Sequence, residues 1–174
     1  MSQIKVDSIV PRGGLPSGAS GGIIQIKQTV RTSVFSESVG EGNESSVVLP
    51  VTITPQSASN KILVYATVMM ALNTTHGRVF SLKRGSTSIC IGDAAGSRRR
   101  RTGGGSSGNS SAPTVVTMLF LDSPSTTSTL TYGVTLSHNE NGTLTTYLNR
   151  TDYDVDRASV SRHASTLTVM EVSA

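Results

Sequence analysis

The 174-residue chain has no Trp, three Phe, four Tyr and a single Cys. The lone thiol, Cys90, excludes an intrachain disulfide framework and any zinc site built from two to four thiolates, and folding in a reducing compartment is the simplest reading. Long hydrophobic runs are missing as well. The longest apolar stretch, Ile62 to Leu72 with Thr67 inside it, falls well short of the ~20 residues that a membrane-spanning helix needs. The opening Met1-Ser2-Gln3-Ile4-Lys5 has no basic segment followed by an apolar one, so a cleaved secretory leader is not expected. Charge is scarce too: 15 Lys and Arg stand against 11 Asp and Glu, and Arg98, Arg99, Arg100 and Arg101 together equal the whole excess of +4. Global charge therefore points to no particular partner.

Ser and Thr are abundant, at roughly a quarter of the residues, and this bias favours strands and turns over helices. Thr-rich, charge-poor surfaces of this kind are associated with extracellular β domains and with virus particles. From Ile23 onward, short apolar alternations bounded by turn residues recur: Ile24 to Val30, Val47 to Thr54, Ile62 to Leu72, Val79 to Lys83, Ser88 to Ile91, Val115 to Leu121, Leu130 to His138, Leu144 to Leu148 and Leu167 to Val172. Eight or nine strands at this spacing predict an all-β, antiparallel sandwich or barrel over residues 23–174, with a jelly-roll-like β-sandwich as the expected form.

Residues 1–22 read differently. The extended stretch Ile4 to Val10 leads into a linker, Pro11 to Gly22, with five Gly and two Pro, and together they form an N-terminal arm ordered only by what it lies against. Gly103 to Ser111 is a low-complexity Gly/Ser tract expected to be a flexible surface loop. With the arginines before it, it makes one excursion from Ala95 to Ala112.

Periodicity carries information about assembly. In Leu130 to Leu136 the alternation is clean, with Leu130, Tyr132, Val134 and Leu136 facing a core and Thr131, Gly133 and Thr135 facing water. In Ile62 to Met70 and Val115 to Leu121 both alternating sets are apolar, so these strands need cover on two sides. Another subunit, contacting Leu63, Tyr65, Met69, Leu119 and Leu121, is the economical source of that cover, with partial cover by the chain's own loops as the alternative. Closed threefold association is the expected arrangement.

Motifs that might carry chemistry fail on context. Gly18-Ala19-Ser20-Gly21-Gly22 has the spacing of a nucleophile elbow, but a Pro-punctuated linker precedes it and a strand follows, whereas the elbow needs a strand before and a helix after. Asp152, Asp154 and Asp156 have the spacing that opens a calcium loop, yet Arg157 and His163 stand where an EF-hand needs Gly and Glu. With Arg150, Arg157 and Arg162 nearby, an ion-pair cluster is the better reading. His76, His138 and His163 show no metal-ligand spacing and are expected in loops or at strand edges. No phosphate-binding glycine motif is present. Catalytic residues, metal ligands and cofactors are therefore not assigned. The four arginines, Arg98 to Arg101, can fork onto carboxylates or phosphates and mark a loop for an anionic partner, with a solvated loop as the alternative. Nucleic acid is disfavoured because no stacking aromatic accompanies them. Should the arginines be structural instead, Asp93 or Asp122 across a subunit interface is the expected partner.

Several phrases carry a resemblance. They are Ile4-Lys5-Val6-Asp7-Ser8-Ile9 with Ala19-Ser20-Gly21-Gly22-Ile23-Ile24-Gln25, Val51-Thr52-Ile53-Thr54-Pro55 with Ser57-Ala58-Ser59-Asn60-Lys61-Ile62-Leu63-Val64, Leu82-Lys83-Arg84-Gly85-Ser86-Thr87, Ile91-Gly92-Asp93-Ala94-Ala95-Gly96-Ser97-Arg98, Tyr147-Leu148-Asn149-Arg150 and Ser165-Thr166-Leu167-Thr168-Val169-Met170-Glu171-Val172. Together they resemble virion structural proteins of marine tailed phages, especially cyanophages, over nearly the whole chain. The resemblance implies a non-enzymatic particle component, a tail-fibre-like appendage or capsid surface protein, made in the host cytoplasm and located on the virion. It implies a homotrimeric β-sandwich head and an arm that attaches to other virion proteins, here through Ile4, Val6 and Ile9. An adhesion module for a host-surface ligand or glycan is the other reading, weakened by the scarcity of aromatic platforms. The Arg98 to Arg101 run departs from the family pattern.

Overall fold

The computed structural model describes residues 21–75, 77–106, 108 and 112–174. The Thr- and Val-rich alternations form eleven strand segments: β1 (Ile23–Arg31), β2 (Phe35–Gly40), β3 (Val48–Ile53), β4 (Lys61–Leu72), β5 (Arg78–Arg84), β6 (Thr87–Ile89), β7 (Gly103–Gly105), β8 (Thr114–Asp122), β9 (Leu130–His138), β10 (Thr143–Leu148) and β11 (Ser165–Val172). Some of these are interrupted halves of a single strand. β1 pairs with β11 as far as Arg31 opposite Ser165, and β2 continues the line against β10 from Phe35 opposite Leu148. β10 and β11 in turn follow one another along one edge of β4, whose other edge takes β8. β6 and β7 share one edge of β5, opposite β9.

Counted as continuous lines, these segments make eight antiparallel strands in two sheets. The first sheet runs β8, β4, β10/β11, β2/β1, and the second runs β3, β9, β5, β6/β7. The first strand pairs with the last, the second with the seventh, the third with the sixth and the fourth with the fifth. This nested pairing is that of a long hairpin rolled up on itself, which is the jelly roll. The fold class read from the sequence is the fold observed.

The core lies between the sheets. Ile62, Val64, Ala66, Val68 and Met70 of β4 face Phe80, Leu82, Tyr132, Val134 and Leu136 of the opposite sheet, all with 1% or less of their surface exposed. One end of the core is closed by a polar bridge between sheets. The Asp122 carboxylate of β8 accepts two hydrogen bonds from the Arg84 guanidinium, at 2.9 and 2.7 Å, and one from the Tyr132 hydroxyl at 2.6 Å. Burial, and then the adjoining Asp122 carboxylate, push the Tyr132 phenol far above its ordinary range. Glu171 of β11 is fully buried and has only neutral donors: the Asn60 amide at 2.6 Å, the Gln56 backbone N–H at 2.7 Å and the Gln25 amide. These bonds tie the 54–60 connection to the last strand.

The interruptions are stitched by two hydroxyls placed alike. Where the chain leaves β10, the Asn149 N–H donates to the Met69 carbonyl at 2.8 Å. Where it returns, Ser165 Oγ accepts the Met69 N–H at 2.9 Å and donates to Asn149 Oδ1 at 2.6 Å. The Asn149 amide also donates to the carbonyls of Arg31 and Ser33, so one side chain seals the break in both neighbouring lines. In the second sheet Thr102 does the same work: its Oγ1 accepts the Leu82 N–H at 2.8 Å and donates to the Ile89 carbonyl at 3.0 Å. No ladder group of the partner strand is left bare at either break, which would otherwise cost ~1–3 kcal/mol apiece.

Four expectations need correction. Gly103, Gly104 and Gly105, read as part of a flexible loop, form β7 against Arg78, Val79 and Phe80. A Cβ on Gly103 would stand 2.7 Å from the Phe80 ring, and one on Gly104 would strike the Arg78 carbonyl, so glycine here permits close pairing. Phe35–Gly40, unassigned in the sequence reading, is strand β2. Gly133 and Thr135, expected to face water, are buried: the 41–47 segment lies over this part of the second sheet, with Val47 filling the place of a Gly133 side chain and Ser45 hydrogen-bonded to both the N–H and C=O of Leu136. Finally, Gly21 and Gly22, assigned to the arm, extend the β1–β11 pairing through Ser173. Residues 1–20, including Ile4, Val6 and Ile9, lie outside the described residues.

Glu171 makes stability depend on acid. Burial alone would raise its carboxyl, but the bonds from Asn60, Gln25 and the backbone outweigh this and hold it below the ordinary 4.5. A group depressed in the folded state stabilises fully above its unfolded value and loses that contribution as pH falls through the folded one. Glu171→Gln should lower stability by about 2–3 kcal/mol at pH 7 and flatten the loss below pH 4.5, as urea titrations from pH 7 to pH 3 would measure.

Candidate functional site

The sequence-flagged groups do not converge on a catalytic cleft. Asp154 is the acidic member that pairs: it sits between Arg162, at 2.8 Å, and Arg150, at 3.4 Å, in the 149–164 excursion. Asp152 accepts its neighbour's N–H, from Tyr153, at 2.7 Å. The ion-pair reading of this stretch therefore holds for Asp154. His138, expected at an edge, is fully buried in β9 with its Nε2 2.8 Å from the Val39 carbonyl, because it occupies an inward register position. His76 lies outside the described residues. Among the described residues no three His, Cys, Asp or Glu side chains cluster as metal ligands, and no helix is long and apolar enough to cross a membrane.

The arginine loop connects β6 to β7 and is braced from within. The Arg99 guanidinium meets Glu41 at 2.8 Å, and Arg101 meets Glu44 at 2.9 Å and the Gly42 carbonyl at 3.3 Å. Arg100 Nε donates to the Gly92 carbonyl at 2.6 Å, closing the loop on itself. Within the chain the partners are thus glutamates of the 41–47 segment, while Asp122 is engaged by Arg84. Glu44 is the hub, since it also binds Lys83 and accepts from Ser81 at 2.8 Å. Burial would raise its carboxyl, but the bonds from Lys83 and Ser81 and the charge of Lys83 outweigh that and lower it. The arginine part of the excursion is therefore tied to the chain's own glutamates and carbonyls. Sequence reasoning missed Glu41 and Glu44 because they lie more than fifty residues away. Arg98 bonds only weakly to the Ala95 carbonyl, at 3.4 Å, and with Ser97, Arg99 and Asn139 it lines a shallow recess.

The outer face of the first sheet is the opposite case. Alternation turns Leu63, Tyr65 and Met69 of β4 and Leu119 and Leu121 of β8 away from the core, and register places Leu63 beside Leu121, Tyr65 beside Leu119 and Met69 beside Val115. All five residues marked from the two-sided apolar pattern are thereby brought onto one surface. Leu119 is 65% exposed and Leu121 51%, while Leu63 and Met69 are half-buried by neighbours. Neighbouring strands enlarge the surface with Val115 at 56%, Ile26 at 58% and Val30 at 55%.

The geometry defines a jelly-roll sandwich with one bare apolar face. No protein-family model and no curated protein matches the sequence. Among solved structures, the chain is similar to one described as infectious bursal disease virus Gt strain, with a TM-score of 0.40 and 13% identity over 98% of this chain and 43% of that one. It is also similar to the infectious bursal disease virus VP2 subviral particle, with a TM-score of 0.39 and 10% identity over 98% and 45%. The chain thus spans less than half the length of either.

The bracing separates the arginines by role. Arg101→Ser removes one of the partners of Glu44, which keeps Lys83 and Ser81, so a loss of about 1 kcal/mol is expected, or a fall of roughly 3 °C in melting temperature. Arg98→Ser should shift it by less than about 1 °C. Calorimetry of the two variants would measure this, and equal effects would contradict the assignment.

Proposed function

We propose that the chain is a non-enzymatic structural protein of a virus particle, of the kind implied by its resemblance to marine tailed-phage virion proteins. In this reading it is a homotrimeric tail-fibre-like or capsid-surface appendage that attaches to other virion proteins through Ile4, Val6 and Ile9 of its arm and presents the jelly roll outward. The observation that carries the reading is the pairing of a self-braced sandwich with a largely apolar outer face on its first sheet, a combination suited to assembly. The two ion-pair clusters support it further, because their charges are spent on holding loops in place.

A second reading, an adhesion module for an anionic host-surface ligand or glycan, is favoured by the Arg98 recess beside Ser97 and Asn139. It is compatible with the first, since an appendage can do both.

Immunogold labelling of intact particles tests the principal reading, with gold on the particle surface expected and unlabelled particles ruling it out. Removing residues 1–20 should leave melting unchanged and abolish incorporation. Normal occupancy of the truncated protein would move attachment into the sandwich.

A further inference from the structure

The two sheets have four edges, and among the described residues three of them are guarded. The β1/β2 edge is broken at residues 32–34, shifts register between Ile23 and Gln25, and carries Lys27, Arg31 and Glu37. The β3 edge holds Pro50 and a register shift between Val48 and Val51, with Leu49 at φ 57°. The β6/β7 edge consists of two three-residue pieces separated by the arginine loop. Bulges, prolines, charges and shortness are the devices that keep sheet edges from pairing with other chains.

β8 has none of these. Its nine residues hold one unbroken register with β4, and Thr114 to Leu121 contain no proline, glycine or charge. The direction of its free backbone groups follows from β4. The N–H and C=O of Met69 both turn toward the β10/β11 line, the first donating to Ser165 Oγ and the second accepting from the Asn149 N–H. In the alternation of an antiparallel ladder the odd-numbered residues of β4 therefore serve that line and the even-numbered ones serve β8. Val115, Thr117, Leu119 and Leu121 stand opposite the odd-numbered residues, so their N–H and C=O groups point away from β4. No described residue hydrogen-bonds to them there. A row of open N–H and C=O groups calls for an extended strand as its occupant.

We propose that β8 pairs antiparallel with β8 of a second copy about a twofold axis at Met118, joining the two first sheets into one. The strand itself selects this occupant. Pairing about Met118 uses all nine residues: Val115 meets the second copy's Leu121, Thr117 its Leu119, Val116 its Phe120, and Met118 its counterpart. Four edge-directed residues on each copy then exchange about eight hydrogen bonds, the number found in a typical interface. Like charges do not meet, since Asp122, the one charged residue of the strand, falls opposite Thr114. The next edge-directed pair would set Pro113, which has no N–H to give, against Ser123, so the pairing ends where the strand does. The contact goes beyond the homotrimer and virion readings and depends on neither.

Cysteine crosslinking of the full-length protein reads the register directly. Across a non-hydrogen-bonded antiparallel pair the Cα atoms lie ~4.5 Å apart, within reach of a disulfide, so Met118→Cys should give a two-copy band on a non-reducing gel after mild oxidation. Leu119→Cys should not, because the second copy's Leu119 lies two residues along from the position opposite, past the ~7 Å limit. The parent chain, with Cys90 as its one thiol, is the control. In light scattering at micromolar concentration the wild type should have the mass of an even number of copies. Thr117→Pro should halve that mass with circular dichroism unchanged, since the N–H it removes is not one that bonds β4. Absence of the Met118→Cys band, equal bands from the two cysteine variants, a wild-type mass of one or three copies, or a folded Thr117→Pro variant of full mass would each overturn the contact. A fall from six copies to three would support the threefold reading as well, whereas a fall from two to one would support this contact and overturn that reading alone.

Discussion

The sandwich depends on one recurring constraint: a strand in the middle of a sheet cannot be interrupted unless the ladder groups at the break find partners. Two long excursions interrupt strand lines, residues 149–164 in the inner β10/β11 line and residues 90–102 in the edge line β6/β7, whose partner β5 is an inner strand. At each return point a hydroxyl accepts the N–H of the neighbouring strand and donates back to the point of departure. Asn149, held at φ 62°, adds a second reach to Arg31 and Ser33, so the break in the β10/β11 line and the kink in the β1/β2 line share one seal. A jelly roll so stitched carries insertions in mid-strand while its eight-strand pairing stays intact.

The buried carboxylates are each held by several donors. Asp122 joins the sheets at one end of the core through Arg84 and Tyr132, and Glu171 ties the 54–60 connection to the last strand through amides alone. Burial works against the charged form of Glu171, and the hydrogen bonds from its donors outweigh it. The arginine loop extends this pattern to the surface, where Glu41 and Glu44 anchor guanidinium groups that would otherwise repel one another.

These arrangements divide the molecule into a braced side and a bare side. The second sheet is covered by its own chain and its charges are internally matched. The first sheet exposes leucine, isoleucine and valine on its outer face. This asymmetry between a largely self-covered face and a bare one underlies the function proposed.

Fold class, strand number and the two-sided apolar strands were legible in the amino-acid sequence, because alternation with period two and the punctuation of turns are local properties of the chain. The same alternation marked Leu63, Tyr65, Met69, Leu119 and Leu121 before any register was known. It was blind to Gly103–Gly105 as a strand, since three glycines have no side chain to alternate and their pairing rests on how closely β5 approaches. It could not pair Arg101 with Glu44 or bury Gly133 under Val47, for these contacts join segments dozens of residues apart through the 41–47 crossover. Nor could it extend the apolar face to Ile26 and Val30, because which strands lie side by side is settled by the order in which the hairpin rolls up. Periodicity decides which way a side chain points, and only the tertiary structure decides what it meets there.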